Sequence, residues 1–459
     1  MAELLVLGAG TGGLMAALAV ARAGHRVTVI EKDAAPPESA AEALAWARPG
    51  TPQALLPHAF MGGARRLLCE RAPDVLDALL AAGALDFDLA SSLPGGARLA
   101  ADAELRVLFC RRPLLESTLW RLVAREPRVR LISGTGAEGL VVAGGRVAGL
   151  RVEGQALGAD LVVDAAGRRS PVPRWLAEAG FALPAERVEE CGLVYYARYY
   201  AVRNGAAPPT PRWLWGPRAE LSCALAMVHL ADRGIHSMTL ALATHERDLR
   251  AIRDPDVFER VAGALPAFAP WVDARTVTPV TPVLAMGGLQ DVLRPFAEGG
   301  RLLAPGLVPL GDSLCHTNAA FGWGMAMGFT QAWALADAVA SHRGFDDVAA
   351  DYHARVWPEA ADRWGVAAEQ DLLRLRLWRG EPVGIGELPH ATLLRELAPA
   401  AATDAEVFRA VFRFQTLLEP AAAIFANADR LRERCRLAPP LPVAPPPSRE
   451  ALLAAMRGG

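Results

Sequence analysis

Apolar positions along this chain fall into two rhythms. The first is the short unbroken run. Leu4-Leu5-Val6-Leu7 stops at Gly8-Ala9-Gly10-Thr11-Gly12-Gly13, and His25-Arg26-Val27-Thr28-Val29-Ile30 stops at Glu31. Between them a helical stretch over 14–22 closes at Gly24. Short all-apolar runs suit strands buried on both faces, so the order strand, glycine turn, helix, strand predicts a βαβ start. The run 161–164, which leads into Ala165-Ala166-Gly167, and the run 307–310, which leads into Gly311-Asp312, read as further strands of the same kind. Helices are predicted over 64–82, 113–125 and about 324–340. Strands over 105–109, 129–132, 139–142 and 146–152 complete this part, with Gly144-Gly145 as one of the turns.

The second rhythm is alternation. Residues 190–285 carry Tyr195, Tyr196, Tyr199, Tyr200, Trp213 and Trp215 and alternating stretches around 224–230 and 237–243, the pattern of an antiparallel sheet. Residues 346–459 read mostly as helix, and 438–447 is a proline-rich strap. The expected fold class is α/β, with a Rossmann-type domain built from 1–80, 100–180 and 286–345. An inserted antiparallel-sheet substrate domain takes 81–99 and 181–285, and 346–459 forms a C-terminal helical region with a proline-rich end.

Composition removes several function classes. A chain of 459 residues with 52% hydrophobic and 21% charged residues can bury a large core. The net charge of -2 supplies no field for a nucleic-acid backbone, so no nucleic-acid partner is expected. No apolar run reaches the roughly 18 residues of a membrane span. Residues 1–7 already read as a strand, with Glu3 inside it, so a signal peptide is not expected and a cytoplasmic location is. The cysteines at 69, 110, 191, 223, 315 and 435 form no C-x-x-C pair, which predicts reduced, mostly buried thiols and no metal site. Lys32 is the one lysine in the chain, so no other lysine can serve catalysis.

Gly8-x-Gly10-x-x-Gly13 carries the first chemistry. Gly8 permits the turn, Gly10 lets backbone approach a pyrophosphate, and Gly13 lets helix pack on strand, with the phosphates at the helix N-terminus. Glu31 ends the next strand about 20 residues on, placed to accept from a ribose. Lys32 follows it at the adenosine end.

Three separated motifs then resemble the FAD-dependent monooxygenase superfamily that includes para-hydroxybenzoate hydroxylase, and together they span most of residues 1–345. Cys110-Arg111-Arg112-Pro113-Leu114-Leu115-Glu116 is similar to an Arg-x-x-Leu-Glu element whose arginine holds the FAD ribityl-phosphate region, which implies that role for Arg112. Gly311-Asp312-Ser313-Leu314-Cys315-His316, followed by Asn318-Ala319-Ala320-Phe321-Gly322-Trp323-Gly324-Met325, looks like the Gly-Asp stretch and glycine turn beside the flavin. There the aspartate accepts from a ribityl hydroxyl and the helix N-terminus faces the pyrimidine carbonyl. The resemblance thus implies cofactor contacts for Gly311, Asp312, Gly322, Gly324 and Met325, and a structural role for His316. Asp164-Ala165-Ala166-Gly167-Arg168-Arg169-Ser170 is closer in style to bacterial epoxidases, halogenases and geranylgeranyl reductases. The aspartate that hydroxylases use toward NADPH is replaced by Ala166.

Arg48-Pro49-Gly50-Thr51-Pro52-Gln53 with His58 resembles an epoxidase segment. It implies a phosphate contact for Arg48 and places Gln53 and His58 in the cofactor cleft. Trp213-Leu214-Trp215-Gly216-Pro217 is similar to a halogenase signature but lacks its isoleucine, and Lys32 lies at the wrong end of FAD for halogen transfer. Phe321, Trp213, Tyr196 and Arg198 complete the candidate cavity, with Tyr196, Arg198 and Tyr200 on one strand face and Tyr195 and Tyr199 on the other.

The resemblance implies a bacterial monooxygenase that hydroxylates or epoxidises a mostly apolar small molecule with O2, through a flavin C4a-hydroperoxide. Electrons come from NAD(P)H directly or as reduced flavin from a partner flavin reductase. No residue of the protein is expected to be a covalent catalyst, because the flavin carries the chemistry. The alternatives are an FAD-dependent reductase of an isoprenoid-like double bond and a non-catalytic flavin-binding partner protein.

Overall fold

The computed structural model describes residues 1–39, 42–95, 97–209, 214, 216–299, 301–384, 386–439 and 447–458. The buried runs form one parallel sheet, in the order Leu307–Pro309, Leu161–Asp164, Glu3–Leu7, Arg26–Glu31, Val129–Ser133. Alternate side chains of its central strand serve different cores. Leu4 and Val6 join the helices, whereas Leu5 and Leu7 join an antiparallel meander of Ala137–Ala143, Arg146–Val152 and Gln155–Gly158. Both faces are therefore covered, which is why these strands are apolar throughout.

Two helices run from this sheet toward one point, Thr11–Arg22 and Gly324–Ser341. They cross where Gly12 meets Gly328: a Cβ on Gly328 would lie 3.5 Å from the Gly12 Cα. The two glycines put backbone against backbone at the crossing, which brings both helix N-termini to the same cavity.

The predicted helix over 64–82 is two helices, Gly62–Arg71 and Pro73–Ala81. Pro73 lacks an amide N–H and forces Ala72 out of helical geometry, which breaks the helix there.

The inserted sheet is antiparallel, in the order Arg218–Glu220, Ala224–Leu230, Ile235–Ala243, Leu193–Val202, Val277–Pro279, and Leu284–Met286 also pairs with the 193–202 strand. One face packs on the helix Pro255–Gly263 through Tyr196, Tyr200, Val228, Leu240, Phe258 and Val261. The other face looks at the cavity.

The chain beyond residue 345 is helical, beginning with the 34-residue helix Phe345–Trp378. Leu393, Leu397, Val407, Phe408 and Phe412 belong to the same core cluster as Leu14 and Phe329, so this region shares its core with the parallel-sheet domain. Most of the predicted proline strap lies outside the described residues. The last helix, Arg449–Arg457, returns to the inserted sheet, where Leu452 joins its core and Arg449 bonds Glu246 and Asp248. All six cysteines are free thiols; Cys69 is exposed.

Candidate active site

A single cavity of about 750 Å³ extends from the first glycine turn, past the 318–324 turn, to the inserted sheet. Gly8, Gly10, Gly13, Glu31, Lys32, Arg48 and Arg112 line it, as do Gly311, Asp312, Gly322, Gly324 and Met325.

At the first end the backbone makes the site. Gly8 has φ +103°, and a Cβ there would lie 2.6 Å from the Ala165 carbonyl oxygen. A Cβ on Gly13 would come within 2.0 Å of the Gly8 carbonyl oxygen. Gly10 differs: its Cβ would meet only Arg112 Nη2, at 3.7 Å, across open space. Gly8 and Gly13 thus shape the turn, and Gly10 keeps it clear for a ligand. Glu31 is buried, and its Oε2 accepts from the Ala9 N–H at 2.7 Å.

Arg48 is almost fully enclosed among three carboxylates. Its Nε is 3.1 Å from Asp33, its Nη2 3.5 Å from Glu31 and its Nη1 3.5 Å from Glu116. Neither Nε nor Nη1 makes a well-directed hydrogen bond, and Glu116 Oε2 is equally unanswered. Arg112 donates Nε to Glu116 Oε1 at 2.8 Å. Burial opposes charge on Glu116, but Arg112 and Arg48 outweigh it and hold the carboxyl below its usual range. A buried and a half-buried arginine beside an open glycine turn suit a pyrophosphate. The residues present therefore fit FAD.

At the 311–324 segment, side chains hold the backbone. Buried Asp164 accepts from Ser170 Oγ, Ser313 Oγ and the Ala166 N–H, tying the 165–170 loop to Gly311-Asp312-Ser313. Burial pushes the Asp164 carboxyl up. Gln331 Oε1 accepts from the Gly311 N–H at 2.6 Å. In the following turn Gly322 takes φ +70°. Two of the turn's carbonyls accept from side chains: Gln415 Nε2 donates to Phe321 at 2.8 Å and Arg218 Nη1 to Ala320 at 3.4 Å.

Behind this turn is a network that no spacing in the sequence revealed. Asn318 donates its N–H to Asp291 Oδ1 at 2.6 Å and its Nδ2 to Asp371 Oδ2 at 2.7 Å, and it accepts from the Tyr195 hydroxyl. Arg374 donates to Asp371. Cys191, Asp291 and Asp371, all buried, bring one ligand atom each within 4.8 Å of one another. Burial and the neighbouring Asp371 push the Asp291 carboxyl up to about 8. The two acids therefore hold a proton between them at neutral pH, which is how two carboxyls survive so close in a dry site.

The far wall is the inserted sheet. Tyr195, Ala197, Met227, His229 and Thr239 face the cavity, and Ala391, Leu394, Val411 and Phe412 of the helical region roof it. Gln53, His58 and Phe321 also line it. Burial and Arg112 push the His58 imidazole down to about 3, and burial and Arg218 push His229 down to about 4, so both rings are neutral at neutral pH.

Two expected cavity residues are elsewhere. Tyr196 belongs to the opposite core, and Arg198 donates to Glu259 at 2.7 Å and to the Thr281 carbonyl on that same far side. Both strand faces carry tyrosines, so alternation alone could not choose between them. The amphipathic helix 255–263, with Phe258, Val261 and Ala262 inward, was the signal that Tyr196 and Arg198 face it. Trp213 lies outside the described residues. His316 donates its Nδ1–H to the Gln290 carbonyl at 2.6 Å, a tie between strands.

Comparison with known proteins agrees with this geometry. Residues 3–118 match the family described as FAD dependent oxidoreductase. The fold is that of the para-hydroxybenzoate-hydroxylase-like FAD-dependent oxidoreductases. Solved structures share it at low identity. PqsL of Pseudomonas aeruginosa, a probable FAD-dependent monooxygenase, superposes with a TM-score of 0.59 at 19% identity, covering 82% of this chain and 98% of its own. The flavin-dependent brominase Bmp2 gives 0.61 at 15%, covering 94% and 99%. The myxobacterial chondrochloren halogenase CndH gives 0.61 at 16%, covering 98% and 99%. Protein Rv3254 of Mycobacterium tuberculosis is 26% identical over 263 residues, 54% of this chain, and the chain spans about half (51%) of that relative's length. No helix among this chain's described residues is long and apolar enough to cross a membrane.

Proposed function

We propose that this protein is a monooxygenase that hydroxylates or epoxidises a mostly apolar small molecule. The observation that carries the reading is the continuity of the cavity: the glycine turn, the 318–324 turn and the sheet wall line one space. Gly8, Gly10, Gly13, Glu31, Arg48 and Arg112 would hold the nucleotide part of FAD, and Asp312 with the turn at Gly322, Gly324 and Met325 the ring end. When bound, the reduced flavin supplies O2 activation and delivery of one oxygen atom.

The chain's own residues exclude water and orient substrate. Phe321, Met227, Leu394 and Phe412 line the part beyond the turn, and such walls keep a reactive species from solvent. The first turn of the helix Gly324–Ser341 offers its free N–H groups to negative charge on the ring. Neutral His58 and His229 accept or donate hydrogen bonds there without bringing in a charge.

The likeness to halogenases is one of fold. The single lysine, Lys32, packs beside Gly50 and Gly136 at the nucleotide end, where a Cβ on Gly136 would lie 3.5 Å from the lysine Cβ. It therefore stands apart from the Tyr195–His229 wall, where halogen transfer would need it. The reductant is NAD(P)H directly or a partner flavin reductase. The test is oxygen uptake by the FAD-loaded protein supplied with NAD(P)H, with and without a generic flavin reductase, across a panel of apolar compounds. Uptake matched by an oxygenated product supports the reading. Reduction of a substrate double bond without oxygen uptake contradicts it.

A further inference from the structure

The substrate end of the cavity holds more positive than negative charge. Arg374 is 6% exposed and is answered by Asp371, yet its Nε has no hydrogen-bond partner. Glu220 is shared, with one oxygen 3.8 Å from Arg374 Nε and the other 4.0 Å from Arg395 Nη1. Arg218 is left over. It stands on the edge strand with its side chain exposed toward the cavity, and among the described residues it forms no ion pair within 4.0 Å. Its side-chain hydrogen bond to the Ala320 carbonyl is long at 3.4 Å. Burial, then repulsion from Arg374, push its guanidinium below the usual range. A guanidinium that faces a cavity without an ion pair keeps donors free for an anionic group of a ligand. Apolar side chains line the same cavity: Leu214, Met227, Met286, Leu289, Leu373 and Leu394.

We propose that Arg218, in the positive field it shares with Arg374, binds a carboxylate of the substrate, so that the substrate is an apolar acid rather than a neutral hydrocarbon. This rests on the oxygenase reading above and names the substrate class for the same cavity. A planar guanidinium donates in pairs to a carboxylate, and in an enclosed site such charge-assisted bonds are strong. The bond from Arg218 to Ala320 also fixes where the acid end is held, beside the 318–324 turn, with the apolar body along Met227 and Leu394.

The test uses the FAD-loaded protein and two probe pairs, 1-naphthoate with 1-naphthamide and octanoate with octanamide, read by the change in the flavin spectrum and by calorimetry. Each acid should bind about tenfold or more tightly than its amide. Arg218→Gln should remove that gap and leave amide affinity unchanged, which also shows that the cavity is intact. Arg218→Lys, which keeps the charge and loses the fork, should retain part of the gap. Equal affinity of acid and amide, no binding of any of the four, or a gap that persists in Arg218→Gln would overturn the carboxylate site. A yellow protein that takes up oxygen with neutral compounds yet ignores acids refutes only this inference. A protein that retains no FAD refutes the reading beneath it as well.

Discussion

The two ends of the cavity are built on different principles. At the nucleotide end, backbone decides: Gly8 and Gly13 leave no room for a Cβ, and a short stretch of chain makes the turn. At the substrate end, side chains from distant segments decide. Tyr195, Arg218, Asn318, Arg374 and Phe412 meet there from the inserted sheet, the turn and the helical region. A site made by local backbone tolerates few residue types. A site made by converging side chains can change its ligand by single substitutions while the scaffold stays the same.

The largest effect should separate fold from ligand within the glycine turn. Gly13→Ala places a Cβ 2.0 Å from a backbone oxygen that cannot move aside, so it should cost several kcal/mol, a fall of a few degrees in melting temperature for a chain this long, with or without FAD. Gly10→Val should leave the melting temperature of the cofactor-free protein nearly unchanged but abolish FAD retention, read from the flavin spectrum. A stable, yellow Gly10→Val protein would remove the glycine turn from the cofactor site.

Next is Arg48→Met. It leaves Glu31, Asp33 and Glu116 facing one another without the cation between them, which should cost about 3–5 kcal/mol by denaturant unfolding and weaken FAD binding as well. Arg48→Lys, which restores charge but not the fork, should recover stability better than FAD affinity.

At the other end the buried acid pair gives a pH signature. Asp291 holds its proton to about pH 8 in the folded chain, whereas an unfolded aspartate loses it near 3.9. Between those values the folded state binds more protons, so this pair makes stability fall as pH rises from about 4 to about 8 and level off above. Asp291→Asn keeps the shape of the neutral acid. It should flatten that limb of the stability profile, with the melting temperature at neutral pH unchanged or raised. A profile of the same slope in the variant would show that the pair holds no proton.

The smallest effect is expected on the outer sheet face. Arg198→Met removes a bond to Glu259, which is about a third exposed, and should cost about 1 kcal/mol or less, with no change in substrate affinity. An altered affinity would mean that the outer face communicates with the cavity.

The sequence made one end far more legible than the other. Gly8, Gly10, Gly13 and Glu31 lie within a short stretch, and each glycine has a local steric reason, so a single strand–turn–helix pattern is enough to read them. Asp312 and the 318–324 turn were legible through resemblance. Asn318, Asp291, Asp371 and Tyr195 were not, because their meeting depends on how a strand, a turn and a long helix converge from separate parts of the chain. Arg218 had no distinguishing local pattern at all. The inserted sheet itself was legible from its alternation, and its inward face was not, since tyrosines occupy both sides. The helical roof over the cavity follows from the core that Leu397 and Phe412 share with the parallel-sheet domain, a property of packing that helical periodicity does not display.

The central claim is that one cavity holds FAD at the glycine end and presents its ring system to the sheet wall. A crystal structure of the FAD-loaded protein tests it most directly. The account predicts the pyrophosphate over Gly8–Gly13 beside Arg48 and Arg112, and the ring system against Gly322–Met325 with open volume toward Met227 and Arg218. A ring system that fills the space beside Met227 and Arg218, or that lies outside the cavity altogether, would contradict it.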